Sequence, residues 1–512
     1  MSSRRDFIRL VVGATGASYA LGLVSCGRPP RVEQTSGGRV QTATPQFRTA
    51  HRFLRDRHQI PVPDRTEDVD ILVVGGGVSG LAAAAWLEQE GRRPTVVEND
   101  LQPGGAAQST SLAGGLVPLG SVYFVDPTPE LRLLLDTAEI MPVGCPEDAF
   151  DFGHGTVVRD LWRDEVLRSV IADDTDRVGM QRFRDDLLDL GDRLPPYPLP
   201  EALEPWQAAL DRPAEPWVKS YGSATLTSIL NAYSRSSLGA LLSGTNVYCL
   251  QNFYSSEFGS PYGQQRYTIP GGPGVLTAAV AARLSDVRAG HVCVRMRQDA
   301  RTAEADCVDQ DGRVVRFRAR AIVMAGPKYQ APYLVEDLPA DQAQACSMLA
   351  YAPYMTIHIV SDEPLTEPMI YDTWNLSSES ETDVVNPGSV PGSDFNGHVS
   401  SLFVPMDRFA RGQLMHDELF ARKVADIIDQ FLRTRTPQQR ASVREVFAWG
   451  WGHGLVIPTP GSHSGIAQRA ARQHGRIVFA NADCDAAPAM EGAASHGVRA
   501  AGKAVLVGGD GG

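Results

Sequence analysis

Between residues 70 and 110 the chain switches between apolar runs and clusters of small residues. Ile71-Leu72-Val73-Val74 is wholly apolar, as expected of a strand buried on both faces. Gly75-Gly76-Gly77 interrupts it, and Leu81-Ala82-Ala83-Ala84-Ala85-Trp86 continues with strong helix formers. A second apolar run, Thr95-Val96-Val97, ends at Glu98. The pattern predicts a strand–helix–strand unit over about 68–98, with parallel strands and a crossover helix. Residues 130–261 read differently, as helical pieces around Leu131, Phe183 and Leu226 separated by proline-rich loops such as Leu194-Pro195-Pro196-Tyr197-Pro198. From Gly271-Gly272 a helix is predicted through Leu284. Strand-like segments follow at 292–296, 303–308 and 314–317, then a buried strand at 321–324. Residues 345–444 hold alternating strands such as 354–360 and an amphipathic helix at 416–432, interrupted by a polar, mobile-looking loop at 377–397. A last strand at 476–479 precedes a small-residue helix from Met490.

The glycines between the first strand and helix carry chemistry. Gly75, Gly77 and Gly80 have the G-x-G-x-x-G spacing, in which the first permits a tight turn and the second lets a pyrophosphate approach the backbone. The third lets helix and strand pack closely. The N–H groups at the helix start, near Val78 and Ser79, offer positive charge to phosphate. Glu98, with Asn99 beside it, stands where an acid accepts hydrogen bonds from an adenosine ribose. A dinucleotide site follows, either FAD or NAD. Gly104-Gly105, with Ala106 after them, would let the backbone approach the rest of a long dinucleotide, and this favours FAD.

Composition changes the picture little. The 512 residues, 43% hydrophobic and 21% charged, exceed one ordinary domain, and a net charge of −12 argues against nucleic acid as the main partner. The N-terminus matters more. Ser3-Arg4-Arg5-Asp6-Phe7-Ile8-Arg9 is a twin-arginine export pattern. The apolar stretch after it is too short and glycine-rich for a membrane span, and it ends in Leu23-Val24-Ser25-Cys26, which resembles a bacterial lipobox. A plain cleaved signal or an uncleaved anchor are the other readings. Export in the folded state through the twin-arginine translocase suits a tightly held flavin, and the expected place is the periplasm or the outer face of the cytoplasmic membrane, lipid-anchored at Cys26. Residues 27–67 read as a flexible tether and a basic segment, 51–58, that is either a solvated helix face or a lipid contact. Seven cysteines show no C-x-x-C spacing, so no metal site is expected. Six beyond Cys26 are read as buried free thiols, with periplasmic pairing as the alternative.

The C-terminus points to a family. Arg476-Ile477-Val478-Phe479-Ala480-Asn481-Ala482-Asp483, then Met490-Glu491-Gly492-Ala493, resembles the closing motif of flavin-containing amine oxidases of the monoamine and polyamine oxidase type. The resemblance implies an α/β fold: a Rossmann-like FAD-binding domain of the glutathione-reductase type with an inserted α+β substrate domain. Its FAD-binding parts would be 68–130, 262–344 and 445–512, and its substrate parts 131–261 and 345–444. It implies FAD held noncovalently, with Cys293 and Val294 at the adenine end and Asp483 at the ribityl–pyrophosphate region. Ala489 and the Met490 N–H would lie at the flavin ring. Trp449, Trp451 and His453, in Phe447-Ala448-Trp449-Gly450-Trp451-Gly452-His453, would approach the flavin face, and Lys328 would correspond to a lysine holding water at flavin N5. Core tryptophans with a satisfied histidine are the alternative there. Three departures stand out: Ala106 replaces a common Arg, Asn481 replaces a Gly, and no cysteine sits in the covalent-attachment setting.

The expected activity is amine oxidation, on a small molecule such as a polyamine, by hydride transfer to flavin N5 with oxygen or quinone as acceptor. A desaturase or protoporphyrinogen-oxidase-like enzyme acting on an apolar substrate, and a non-catalytic FAD-binding electron-transfer protein, are the alternatives.

Overall fold

The computed structural model describes residues 33–35, 38–153, 155–191, 193–195, 197–199, 203–258 and 266–509. The predicted signal, residues 1–26, lies outside them. Among the described residues no helix is long and apolar enough to cross a membrane.

The predicted strand–helix–strand unit is the centre of a five-stranded parallel sheet. Its order is Val287–Arg288, Pro94–Val97, Ile71–Val74, Ala321–Met324 and Ile477–Phe479. All four residues of Ile71–Val74 and of Ala321–Met324 are buried, as strands covered on both faces must be. The helices Val78–Gln89 and Met490–Gly509 pack on this sheet through small side chains, Ala82, Ala83, Ala494 and Ala501 among them. Close approach is enforced there: a Cβ on Gly497 would collide with the Ser79 carbonyl oxygen. The meander Val292–Gln298, Ala303–Val308 and Val314–Ala319 forms a second sheet, extended in parallel by Arg65–Asp68.

The substrate half is built on a nine-stranded sheet. Its long central strands, Ala350–Ser361 and Val443–Ile457, are antiparallel to each other, and Ala350–Ser361 also pairs with His398–Pro405. The amphipathic helix Asp417–Arg433 covers one face with Phe420, Val424, Ile428 and Phe431. Helices from 164 to 258 form a separate aromatic-rich cluster around Phe183, Tyr233 and Tyr254.

Three expectations are corrected. The tether holds strands: Gly38–Ala43 pairs in parallel with Val443–Ile457, and Arg65–Asp68 joins the meander sheet. The basic segment is helical at His51–Arg55 and keeps Arg52, Arg55, Arg57 and His58 exposed, as the solvated-face reading has it, while Phe53 is buried beneath. The helix Pro129–Ala138, assigned to the substrate domain from residue 131, packs Leu131, Leu134 and Leu135 into the nucleotide-domain core. Val443–Ile457, assigned to the nucleotide domain from residue 445, belongs to the substrate sheet. In addition the polar stretch 377–397 holds a strand, Asp383–Val385, with Glu381, Thr382 and Asp383 buried.

Candidate functional site

Two cavities meet between the halves. One, of about 640 Å³, is lined by Gly75, Gly77, Val78 and Ser79 at the first turn, by Glu98, Asn99, Gly104, Gly105 and Ala106 after the second strand, by Cys293 at the meander, and by Asp483, Ala489 and Met490 near the C-terminus. Stretches as far apart in sequence as Gly75 and Met490 thus share one wall, and the volume suits a large cofactor.

The glycines divide by role. A Cβ on Gly80 would overlap the Gly75 carbonyl oxygen, so Gly80 is a packing residue and lines neither cavity. Gly75 has φ +110°, a conformation that L side chains avoid. Gly77 has ordinary extended backbone, and a Cβ there would meet nothing nearer than 3.7 Å. The fold itself does not require glycine at 77; the space before the helix start does, if a phosphate is to come close.

That helix has no side-chain cap, which leaves its first N–H groups for a ligand. Nearby, Ser79 Oγ and Asn99 Oδ1 are buried without a hydrogen-bond partner among the described residues. Glu98 is held firmly, its Oε2 accepting from Gly76 N–H at 2.6 Å and its Oε1 from Asp100 N–H at 2.7 Å. Burial and neighbouring Asp100 push its carboxyl up to about 7, against those N–H groups. Arg411 lines the same cavity and donates to the carbonyls of Gly452 (2.5 Å) and Tyr351 (2.7 Å). No carboxylate lies within ion-pairing distance of it among the described residues, so an anionic ligand would give it a counter-charge. These residues fit a dinucleotide: orphaned polar atoms, open helix N–H groups, a ribose-side carboxylate and an uncompensated cation.

Several expected site residues stand elsewhere. Lys328 lines neither cavity. It is fully buried, its Nζ donating to Asp483 Oδ1 at 2.8 Å and to the Ala480 carbonyl, while its N–H donates to Asp483 Oδ2 at 2.7 Å. The Asp483 carboxylate also accepts from Tyr351 OH at 2.7 Å. Three of its about four lone-pair sites are therefore taken by protein donors, so Asp483 anchors Lys328 while still lining the cavity. Burial opposes the Lys328 charge, yet Asp483 prevails and its pKa is raised. Val294 lines neither cavity and packs with Phe53 and Val292, because alternation along the strand puts it on the face opposite Cys293. Trp449 also lines neither cavity and packs edge-on against Trp451, with ring centres 5.6 Å apart.

His453 lines the dinucleotide cavity, stacked on Tyr329 at 3.9 Å. Burial, with Arg411 and His51 nearby, lowers its pKa to about 3, so it stays neutral at physiological pH. Asn481 keeps the backbone of the glycine it replaces: φ is +107°, and its side-chain Oδ1 accepts from Ala482 N–H at 2.7 Å.

The second cavity, about 760 Å³, joins the first at a shared wall containing Ala106, Ser121, Trp451, Leu455, Ala489 and Met490. Trp451 is fixed there by its Nε1–H, which donates to the Leu119 carbonyl at 2.7 Å. Phe124, Tyr197, Phe253, Tyr354, Trp374 and Phe403 give an aromatic lining. Buried carboxylates enter it from Asp372, Asp383 and Glu491. Asp372 and the neighbouring Asp148 pair with one guanidinium, that of fully buried Arg266. Asp383 accepts from Thr382 Oγ1 at 2.6 Å. Burial pushes its carboxyl up to about 6, with Asp148 adding repulsion and Arg266 attraction. Asp372, Asp383, Arg411 and Tyr329 are not legible as site residues in the sequence, since each reaches the cavities through long-range pairing. Glu491 was within reach, in the Met-Glu-Gly-Ala start of the last helix.

Comparisons with known proteins agree with this geometry. The family described as flavin-containing amine oxidoreductase matches residues 78–505. A wild-type putrescine oxidase bound to putrescine has the same fold, with a TM-score of 0.69 at 18% identity, covering 86% of this chain and 100% of that one. A cyclohexylamine oxidase from Brevibacterium oxydans IH-35A gives a TM-score of 0.65 at 19% identity, covering 87% and 99%. An uncharacterised protein of Mycobacterium tuberculosis is 45% identical over 53 residues, so the chain spans only 10% of the length of such curated relatives.

Proposed function

Since the chain belongs to the flavin-containing amine oxidoreductase family and is an FAD-dependent oxidoreductase, we propose that its substrate is an amine carrying a second positive charge, such as a diamine or polyamine. One observation carries this reading. Two buried carboxylates, Asp372 and Asp383, reach the wall of an aromatic-lined cavity. A cationic substrate group would be drawn to these carboxylates, and aromatic faces would add cation–π attraction.

When bound, FAD supplies the acceptor for the hydride that leaves the amine-bearing carbon. The chain's own residues orient the substrate. Asp383 and Asp372 draw in the distal ammonium, the aromatic walls exclude water, and Trp451 stands at the junction where the reacting amine must approach the cofactor cavity. His453, kept neutral, adds no cation at that junction. The released imine would hydrolyse to an aldehyde.

Asp383→Asn tests the assignment. Losing a hydrogen bond to a charged group costs about 1.5–3 kcal/mol, a roughly ten- to hundredfold fall in kcat/KM for a diamine. A monoamine of similar size is expected to change little. With a carboxyl titrating at about 6, wild-type kcat/KM for the diamine falls as pH drops through that value, because protonation removes the negative charge, and Asp383→Asn lacks this limb. Equal losses for both amines would refute the role.

Oxygen or membrane quinone is the proposed acceptor. Export through the twin-arginine translocase and lipid anchoring at Cys26 in the periplasm, supported by the Arg4-Arg5 pattern and the Leu23–Cys26 stretch, complete the proposal. Fractionation of expressing cells reads it, and protein confined to the cytoplasm would contradict it.

A further inference from the structure

Two cysteines face each other at the wall of the dinucleotide cavity. Val292–Gln298 and Ala303–Val308 are antiparallel, and Cys293 lies directly across from Cys307. Directly opposed side chains share one face, with Cβ atoms about 4.5–5.5 Å apart. A disulfide needs about 3.5–4.5 Å, so a small closure brings the pair to bonding geometry. Both cysteines pack in one apolar cluster with Met296, Ala305 and Phe317, and Cys293 Sγ donates to the Arg295 carbonyl at 3.8 Å. The bulge begins at Cys293, since register resumes only at Arg295 opposite Asp306. Strand irregularity is therefore present where the adjustment is required. No other pair of cysteines is opposed across a ladder among the described residues.

The two thiols differ in access. Cys307 is fully buried, whereas Cys293 is half-buried and lines the cavity beside His291 and Val292. We propose that Cys293 and Cys307 are a reversible dithiol–disulfide pair, open to small-molecule disulfides in the FAD-free chain and shielded when the cofactor fills the cavity. Cys293, as thiolate, attacks the small disulfide; one sulfur–sulfur bond breaks, a mixed disulfide forms, and one thiol leaves. Cys307 then displaces the second thiol. The two cysteines lose two electrons and two protons, and the small disulfide takes up both to become two thiols. Cys293 reaches the cavity and Cys307 does not, which fixes the order of attack; neighbouring Cys293 and burial also raise the Cys307 pKa. The shielding rests on the flavin reading of the cavity; the disulfide itself does not.

The full chain, purified with and without FAD, is treated with oxidised glutathione, denatured, titrated for thiols and mapped by peptide mass. The FAD-free chain is expected to lose two thiols to one cross-link between residues 293 and 307, reversed by dithiothreitol. The FAD-loaded protein should react several-fold more slowly, and Cys293→Ser should lose no thiol pair. Full retention of thiols in the FAD-free chain, or a cross-link elsewhere, overturns the pair. Equal rates with and without FAD overturn the shielding. Should Cys293→Ser not fold, the peptide map of the unaltered chain decides. A chain that takes up no FAD overturns the flavin reading, and the shielding with it, while the cross-link result still stands by itself.

Discussion

Lys328 and Asp483 show what a buried charge contributes at the scale of single residues. The lysine has no access to solvent, and its ammonium is matched by one carboxylate and one carbonyl. Removing one partner of a buried pair typically costs about 3–5 kcal/mol, because the other is left uncompensated. Lys328→Met is therefore expected to lower the unfolding free energy by about that amount in chemical denaturation. A variant that keeps full stability and loses only turnover would restore the expected role at the flavin. The sequence could not separate these outcomes. Pro327-Lys328 follows a buried strand in either case, and whether Nζ points to a cavity or to Asp483 is decided by a loop 155 residues away in sequence. Asn481 was legible as a departure, but not that its own amide oxygen would steady a backbone that favours glycine.

Among the elements, the turn between Ile71–Val74 and Val78–Gln89 separates demands of the fold from demands of the ligand. Gly77→Ala is expected to leave the FAD-free protein's thermal stability nearly unchanged while weakening FAD binding, since only the ligand needs the space. Gly80→Ala, by contrast, drives a methyl into the Gly75 carbonyl and should destabilise the chain by about 1–3 kcal/mol or more. FAD titration followed by a melting curve reads both; equal behaviour of the two variants would refute the distinction. This turn was legible because backbone geometry dictates residue type there. The strand Val443–Ile457 was legible as apolar and glycine-rich, but not as a partner of Ala350–Ser361, because local pattern does not say which sheet a strand joins. Asp383 was hidden for the same reason: its stretch is polar enough to read as a loop, yet Asp383–Val385 pairs with His398–Pro405 and Asp372–Asn375.

For the whole molecule, function depends on how two separately built halves present one continuous space. The parallel sheet holds the dinucleotide end, the nine-stranded sheet brings Trp451 and Asp383, and the last helix carries Met490 and Glu491 into the junction. Segments from Thr44 to Ala493 line the same cavity, so the cofactor site cannot form before all of them are in place. The measurement that bears most directly on this arrangement is an anaerobic absorbance titration of the purified protein with a panel of amines. Diamines or polyamines are expected to bleach the flavin bands and yield aldehyde, with monoamines acting only at higher concentration. A protein purified without flavin, or a flavin that no amine reduces, would contradict the account.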